Sequence, residues 1–400
     1  MDNPLSGANI VLGVTGSIAC YKSADLASKL VQQGATVDVI LTDGASNFIT
    51  PLTFRSLTHR PVVLDMFDTN SELAVEHVAL AKRADIIVVA PATANFLAKI
   101  ANGLADDALS ATILASAAPV AVAPAMDGHM YENAATQENL SKLQSRGVVV
   151  IGPAEGYLAS GLRGVGRLVD TAQIIDSMCA IIGQSGDLSG KSIVVSAGGT
   201  QEPIDPVRVI TNHSSGKMGY AIAQAARDRG ARTILVTAPT SLPDPGGIEV
   251  RRAGSVAQMR EAVLSACEGA DALIMAAAVS DYRPTEISEQ KIKKTDDSEG
   301  LVLNLVKNAD FFREVPNGVL RVGFAAESQD LVANAKKKLS EKNMSLIAAN
   351  DITAPDSGFN VDTNRVILID RDGGVEELPL LSKYEVGHRI LDRVVGLLSS

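Results

Sequence analysis

Residues 9–41 open with Asn9-Ile-Val-Leu-Gly-Val14, turn at Thr15-Gly16-Ser17, follow the helical pattern of Ala24 to Gln33 and Gly34, and close with a second apolar run, Thr36 to Leu41. An apolar run, a glycine turn, a helix-period segment and another apolar run make a βαβ unit. Its strands are continuously apolar rather than alternating, the pattern of a parallel sheet covered on both faces. Ala84-Asp-Ile-Ile-Val-Val-Ala90 and Val120-Ala-Val-Ala-Pro124 supply two further strands, each leading into a proline-containing polar loop. The plan returns at Lys191-Ser-Ile-Val-Val-Ser196, a glycine loop, a helix from about Tyr220 to Arg229, Gly230 and the strand Thr233-Ile-Leu-Val-Thr237. Ala270-Asp-Ala-Leu-Ile-Met-Ala276 takes the place that Ala84–Ala90 holds in the first half. The expected fold class is α/β, with two Rossmann-like doubly wound domains. Their joint is expected in the small, polar, aperiodic stretch Gly183-Gln-Ser-Gly-Asp-Leu-Ser-Gly190, which gives domains at 1–188 and 189–400.

A chain of 400 residues suits two or three domains, and 46% hydrophobic with 20% charged residues is a globular composition with a substantial core. The net charge is -10 and the longest basic run is Lys336-Lys337-Lys338, so no sequence-independent grip on nucleic acid is expected. Anionic ligands must instead be held by local sites. Cys20, Cys179 and Cys267 are far apart and never in a C-x-x-C pair, which argues against disulfides and structural zinc and for a reducing cytoplasm. The chain starts without a charged-then-apolar signal pattern and no apolar run reaches the length of a membrane span, so a soluble, cytoplasmic protein is expected.

In open α/β sheets ligands gather beyond the carboxyl ends of the strands, which directs attention to the loops after Val14, Ala90, Val122, Ser196 and Ala276. The first half offers Thr15-Gly16-Ser17-Ile18, Pro91-Ala-Thr93-Ala-Asn95 and Ala123-Pro-Ala-Met126-Asp127-Gly-His-Met-Tyr131. The second half offers Thr211-Asn212-His-Ser-Ser-Gly-Lys-Met-Gly219 ahead of a helix. That run is poor core material, and backbone N–H groups at a helix start beside a lysine suit phosphate. Its spacing is not the Walker pattern. Further along come Ala276-Ala277-Ala278-Val-Ser-Asp281-Tyr-Arg-Pro284, Lys291-Ile-Lys-Lys294, Lys307-Asn308-Ala309-Asp310, Gly323-Phe324-Ala-Ala-Glu327, and Lys338 with Lys342. The last pair, at i and i+4, shares one helical face.

With Glu76-His77 ahead of the third strand, the first-half loops resemble the homo-oligomeric flavin-containing cysteine decarboxylases. With the second half included, the whole chain resembles the bacterial bifunctional phosphopantothenoylcysteine decarboxylase and phosphopantothenate–cysteine ligase family. The resemblance implies an FMN site at Gly16, Ser17, Ile18, Thr42, Pro91, Thr93, Asn95 and Met126, with His77 essential to decarboxylation. The chemistry fits a flavin: a carboxylate α to an amide loses carbon dioxide only when the carbanion has an electron sink, which oxidation of the neighbouring thiol-bearing carbon provides. Two positions depart from the family pattern. Asp127 stands where asparagine is common; ionised, it would repel a substrate carboxylate, and burial could instead leave it a neutral donor. Ser160, in Gly156-Tyr-Leu-Ala-Ser160-Gly-Leu-Arg163-Gly-Val-Gly-Arg167, stands where many members carry the cysteine that acts as proton donor. Serine is a far weaker acid, so another donor replaces it, the reaction stops at the oxidised product, or the domain is inert. Replacement is the expectation, and Arg163 is a candidate charge partner for substrate.

For the second half the resemblance implies activation of 4'-phosphopantothenate by CTP as an acyl-cytidylate, then attack by the amine of cysteine. The implied nucleotide positions are Ala276, Ala277, Ala278, Asp281, Lys291, Lys307, Asn308, Ala309, Asp310, Phe324, Lys338 and Lys342, with Asp281 meeting the nucleotide or its Mg²⁺. Asn212 and Lys291 match positions that orient the acyl-cytidylate and stabilise its developing oxyanion. Composition and spacing do not separate CTP from ATP; that choice comes from the resemblance. So does homo-oligomerisation, through trimeric flavin domains and dimeric ligase domains into a dodecamer, to which the alanine-rich stretch Ala94 to Leu114 lends close-packing surfaces. A ligase-only reading, with the flavin domain as a binding or assembly module, rests on Asp127 and Ser160. A nicotinamide dehydrogenase is disfavoured because no G-x-G-x-x-G follows either first strand.

Overall fold

The computed structural model describes residues 3–67, 76–293, 301–327, 331–351 and 361–399, so Lys294 lies outside the described residues. The chain divides into two compact units, Asp2–Ile182 and Gly183–Ser400. In the first, β1 (Asn9–Val14), β2 (Thr36–Leu41), β3 (Val62–Val63), β4 (Ile86–Ala92), β5 (Val120–Pro124) and β6 (Val149–Val150) form one parallel sheet in the order β3-β2-β1-β4-β5-β6. Strand order reverses between β1 and β4, which opens a crevice at their carboxyl ends. The helix after β1 starts at Cys20 rather than Ala24. Its first turn hides in the sequence because it buries a polar side chain: Ser23 Oγ donates to the Ala90 carbonyl at 2.7 Å. The stretch Ala94–Leu114 is two helices, Ala94–Asn102 and Ala108–Ala115, the first ended by Gly103 at φ 71°. A hairpin of β7 (Ala154–Tyr157) and β8 (Arg163–Arg167) follows, with Ser160 in its connection.

The second unit contains β9 (Ser192–Ala197), β10 (Gln201–Pro203), β11 (Val209–Thr211), β12 (Arg232–Thr237), β13 (Glu249–Arg252), β14 (Ala272–Met275), β15 (Tyr282–Pro284), β16 (Leu305–Lys307), β17 (Leu320–Glu327), β18 (Leu346–Asp351), β19 (Thr363–Asn364), β20 (Val366–Asp370), β21 (Val375–Glu377) and β22 (Leu381–Ser382). Among the described residues its main sheet has the order β13-β12-β9-β14-β17-β18-β20-β21, parallel as far as β18 and antiparallel beyond. Helices Lys217–Arg227 and Lys383–Leu398 pack on one face, helices Val256–Ala266 and Leu331–Glu341 on the other. The first of these starts at Lys217 rather than Tyr220, because Gly216, at φ 77°, turns the loop directly into it. No described helix is long and apolar enough to cross a membrane.

The stretch read as a joint is packed rather than free. A Cβ on Gly183 would stand 2.2 Å from the Asp228 carbonyl oxygen, and one on Gly186 would stand 2.4 Å from that of Arg229. These glycines are therefore demanded by backbone approach. Arg229, 3% exposed, holds the arrangement by pairing with Asp187 at 2.5 Å and Asp392 at 2.8 Å. Arg229→Ala leaves both partly exposed carboxylates without their cation, and losing such charge-assisted hydrogen bonds costs about 1.5–3 kcal/mol. The expected result is a lower denaturant midpoint for the second unit. The His388 imidazole, buried against Tyr384, has no hydrogen-bond partner at either nitrogen, and burial, helped by the Arg229 charge, pulls its pKa from 6.5 down to about 4. Between those values the unfolded chain binds the proton and the folded chain does not. Stability is therefore complete above about pH 6.5 and falls as pH drops toward about 4, by roughly 3 kcal/mol in all. His388→Leu should flatten that part of the unfolding profile.

Two candidate active sites

In the first unit the loops after β1 and β4 are tied across the crevice. Thr15 Oγ1 donates to the Pro91 carbonyl at 2.8 Å, and Thr93 N donates to Thr15 Oγ1 at 3.0 Å. Thr93 Oγ1 in turn caps the helix Ala94–Asn102 by accepting from Phe96 N at 3.3 Å. Thr42 Oγ1 caps the short helix Asp43–Ser46 by accepting from Ala45 N at 3.4 Å. Gly16 lies so close to the loop after β2 that a Cβ there would stand 2.8 Å from the Gly44 carbonyl carbon. Gly16, Ser17, Ile18, Thr42, Pro91, Thr93, Asn95 and Met126 thus come from the carboxyl ends of β1, β2, β4 and β5.

These residues fit a flavin mononucleotide. The helix Cys20–Gln32 has no side-chain cap at its N-terminus, which leaves donors for a phosphate. The unit also exposes the apolar side chains of Ile18, Tyr21, Phe48 and Leu52, surfaces of the kind a planar ring system packs against. His77 sits in the first turn of the helix Glu76–Arg83 with Nδ1 buried and without a hydrogen-bond partner.

The two departures from the family pattern meet. Met126 N donates to the Gly166 carbonyl at 3.0 Å, and a Cβ on Gly166 would stand 2.2 Å from the Met126 carbonyl oxygen, so the hairpin β7–β8 lies directly on the loop after β5. Ser160 Oγ then donates to Asp127 Oδ2 at 2.7 Å, while Asp127 Oδ1 accepts from His129 N at 3.1 Å. The Ser160 hydroxyl, followed by that backbone N–H, holds the Asp127 carboxyl below the usual carboxylate range. Of the two forms open for Asp127, the geometry favours the ionised one: the group is partly exposed and its ionised form is the one that receives hydrogen bonds. Arg163 pairs across the hairpin with Glu155 at 3.7 Å, both exposed.

The second unit holds a cavity of about 820 Å³ over the carboxyl ends of its central strands. It is lined by Asn212, Ala276, Ala277, Ala278, Asp281, Lys307, Asn308, Ala309, Asp310, Phe324, Lys338 and Lys342, every expected nucleotide position except Lys291. Its floor is again tied across the strand reversal. Ala278 N donates to the Gly198 carbonyl at 2.8 Å, Thr200 N to the Ala278 carbonyl at 3.2 Å, and Ser280 N to Thr200 Oγ1 at 2.9 Å. Asn308 Nδ2 donates to the Ser280 carbonyl at 2.9 Å and Asn212 Nδ2 to that of Val279 at 3.2 Å. The helix Leu331–Glu341 ends one residue before Lys342, yet Lys342 N still donates to the Lys338 carbonyl at 3.0 Å, which keeps the two lysines on one side. Lys342 also meets Asp310 at 3.1 Å.

Lys291 is exposed and outside this lining. The segment is held elsewhere: Ile292 N donates to Asp205 Oδ2 at 3.2 Å and Arg208 donates to the Ile292 carbonyl at 3.0 Å. The single chain therefore does not bring Lys291 together with Asn212. Conversely, Asn350, Asn364 and Lys383 line the cavity although no local motif marks them. They arrive from β18, β19 and the start of the last helix, a juxtaposition made only by strand order. Among the described residues no three metal-ligating side chains cluster. Asp281 alone suits Mg²⁺ carried by nucleotide phosphates, since that ion is commonly held by one or two carboxylates and its phosphates.

Residues 2–183 match the Flavoprotein family model and residues 188–398 the model described as DNA/pantothenate metabolism flavoprotein C-terminal domain. The coenzyme A biosynthesis bifunctional protein CoaBC of Bacillus subtilis (strain 168) is 45% identical over 98% of both chains. Its Escherichia coli (strain K12) counterpart is 42% identical over 98% of this chain and 97% of its own. A crystal structure of the C-terminal domain of such a protein is 40% identical, covering 54% of this chain and 99% of that one at a TM-score of 0.46. Matched in both units and over nearly its whole length, the chain belongs to the family of bifunctional coenzyme A biosynthesis proteins.

Proposed function

We propose that the second unit joins 4'-phosphopantothenate to cysteine through an acyl-cytidylate made with CTP and Mg²⁺, and that the first unit decarboxylates the product to 4'-phosphopantetheine with FMN. The observation that carries the ligase reading is the lysine-bearing cavity over the strand reversal. Forming an acyl-nucleotide concentrates charge on phosphates, and Lys307, Lys338 and Lys342 lie where they neutralise it. Asp281 supplies one carboxylate to the metal, and the Asn212 amide orients the acyl group. Lys291 belongs to an exposed segment, and the same unit exposes the apolar side chains of Val209, Tyr282 and Leu305. A second copy covering that surface would receive Lys291 as the missing cation. This supports a dimer of ligase units, combined with trimers of flavin units in a homo-oligomer. Burial of all three cysteines, far apart in the sequence, supports a cytoplasmic setting.

In the first unit bound FMN supplies the oxidation that gives the carbanion its electron sink. His77 offers a buried nitrogen for a proton or a carboxylate. Asp127 and Ser160 act together: the ionised carboxylate faces the departing carboxylate, and after carbon dioxide leaves, the pair returns a proton through Ser160 Oγ that Asp127 has taken from solvent. The ligase-only alternative is not favoured, because both family models and full-length relatives match.

The decisive experiment incubates FMN-loaded full-length protein with 4'-phosphopantothenate, cysteine, CTP and Mg²⁺ and identifies products by mass spectrometry while following flavin absorbance. The expected product is 4'-phosphopantetheine over flavin that returns to its oxidised state. Phosphopantothenoylcysteine over unchanged flavin would leave the ligase alone, and absence of any CTP-dependent product would overturn the ligase reading. For the proton relay, the fraction of saturated product should rise as pH falls, since Asp127, held below the usual carboxylate range, takes up its proton only toward acid. Asp127→Asn should remove that pH dependence and increase the unsaturated product.

A further inference from the structure

Joining an acyl-cytidylate to cysteine needs one group more than the machinery described so far. In neutral water the amine of cysteine is an ammonium without a lone pair for attack, so a base must take its proton first. The lining of the second unit's cavity narrows the choice. Lys217, Lys307, Lys338 and Lys342 are counter-charges for phosphates rather than proton acceptors. Lys383, which burial pulls below the ordinary lysine range, is 6% exposed and already donates to the Val361 carbonyl. Asp281 is given to the metal, Asp310 meets Lys342 at 3.1 Å and Glu341 lies 3.9 Å from Lys337. A carboxylate is in any case a far weaker base than imidazole. Neither a cysteine nor a tyrosine is among the described residues of the lining. His213 is among them, and imidazole is the side chain that ordinarily exchanges its proton between pH 5 and 8.

His213 follows directly on Asn212, the residue read as orienting the acyl group. The loop that carries both is pinned to the strand reversal at three points. Thr211 Oγ1 donates to the Thr200 carbonyl at 2.8 Å, and Asn212 Nδ2 donates to the Val279 carbonyl at 3.2 Å. The third point is Gly199, where a Cβ would stand 2.6 Å from the Asn212 carbonyl oxygen. The backbone on either side of His213 is thus held in place. His213 itself is exposed and makes no hydrogen bond or ion pair among the described residues. A fixed backbone with an unengaged imidazole at the cavity wall leaves a ring nitrogen for a proton from a ligand.

We propose that His213 is the general base of amide formation. Its imidazole takes one proton from the cysteine ammonium and frees the lone pair. The nitrogen then attacks the acyl carbon, and the N–C bond forms as the C–O bond to the cytidylate phosphate breaks. The second proton lost by the nitrogen goes to the phosphate of the departing CMP, and His213 returns its own to solvent. The inference rests on the acyl-cytidylate reading and adds the group that its second step requires. It also divides the work of the loop: Asn212 serves the acyl group in both steps, whereas His213 acts only in the second.

The test separates the two half-reactions in the FMN-loaded full chain. With CTP, Mg²⁺ and 4'-phosphopantothenate but no cysteine, pyrophosphate release reports activation; cysteine added afterwards starts the release of CMP, followed by rapid quench. His213→Gln should release pyrophosphate at the wild-type rate and, at neutral pH, CMP about 100-fold more slowly, within the range of general acid–base catalysis. Raising the pH should narrow that gap, because more cysteine then arrives as free amine. Added imidazole should restore CMP release to His213→Ala. Pyrophosphate release falling together with CMP release would assign His213 to binding and overturn the proposal. An unchanged CMP rate in His213→Gln, or a loss that neither pH nor imidazole relieves, would overturn it as well. In each of these cases wild-type pyrophosphate release keeps the acyl-cytidylate reading intact. Wild-type protein that releases no pyrophosphate would sink that reading, and the base assignment with it.

Discussion

Each unit hangs its chemistry on one buried threonine that ties together the two strand ends where the sheet reverses direction. In the first unit Thr15 bonds the Pro91 carbonyl and the Thr93 amide. In the second Thr200 bonds Ala278 through its backbone and Ser280 through its hydroxyl. At a reversal the connections leave toward opposite faces, so only a few bonds beyond the strand ends hold the loops together. Hydroxyl bridges of this kind fix the width of the crevice and the direction of the loop amides that face a ligand. Both threonines are fully buried, where a hydrogen bond removed leaves an unsatisfied polar group and costs more than its own net strength. The same device in both halves explains how two similar sheets serve different chemistries: the bridge sets the crevice, and the residues beyond it set the reaction.

Those residues separate by charge. The protein is acidic overall, so its lysines reach anionic ligands only by local concentration, and the second unit concentrates them in one cavity. The first unit relies instead on an uncapped helix start, exposed apolar side chains and a half-buried histidine. A flavin needs few full charges around it, whereas a triphosphate needs several.

The doubly wound plan was legible because its strands are continuous apolar runs ending in glycine turns, and residues 9–14 and 36–41 are strands in the structure as in the reading. The later strands of the second unit were not legible. β18 and β20 form an antiparallel extension that no short motif announces. The same limit hid Asn350, Asn364 and Lys383. The capping box from Ser382 to Glu385 marks a helix start but carries no information about what the next residue faces. Lys291 was legible as a basic residue, but its segment is anchored by Asp205 and Arg208, so within one chain it stays outside the cavity lining. The glycines of the expected joint looked like a linker because close backbone approach and free rotation select the same residue.

Asp127 and Ser160 show what separate reading of two positions misses. Taken singly, an aspartate for an asparagine adds an unmatched charge, and a serine for a cysteine removes an acid. The 2.7 Å hydrogen bond between them makes each a condition of the other. With Asp127 ionised, a thiol at position 160 would have its pKa raised by the adjacent charge and would lose part of the acidity that recommends cysteine there. A hydroxyl has no such acidity to lose and gains a strong acceptor. Conversely, with serine at 160, an asparagine at 127 would accept the hydrogen bond but could never carry a proton to it. The two positions are therefore coupled across two loops, and the chemical consequence of changing either depends on what stands at the other.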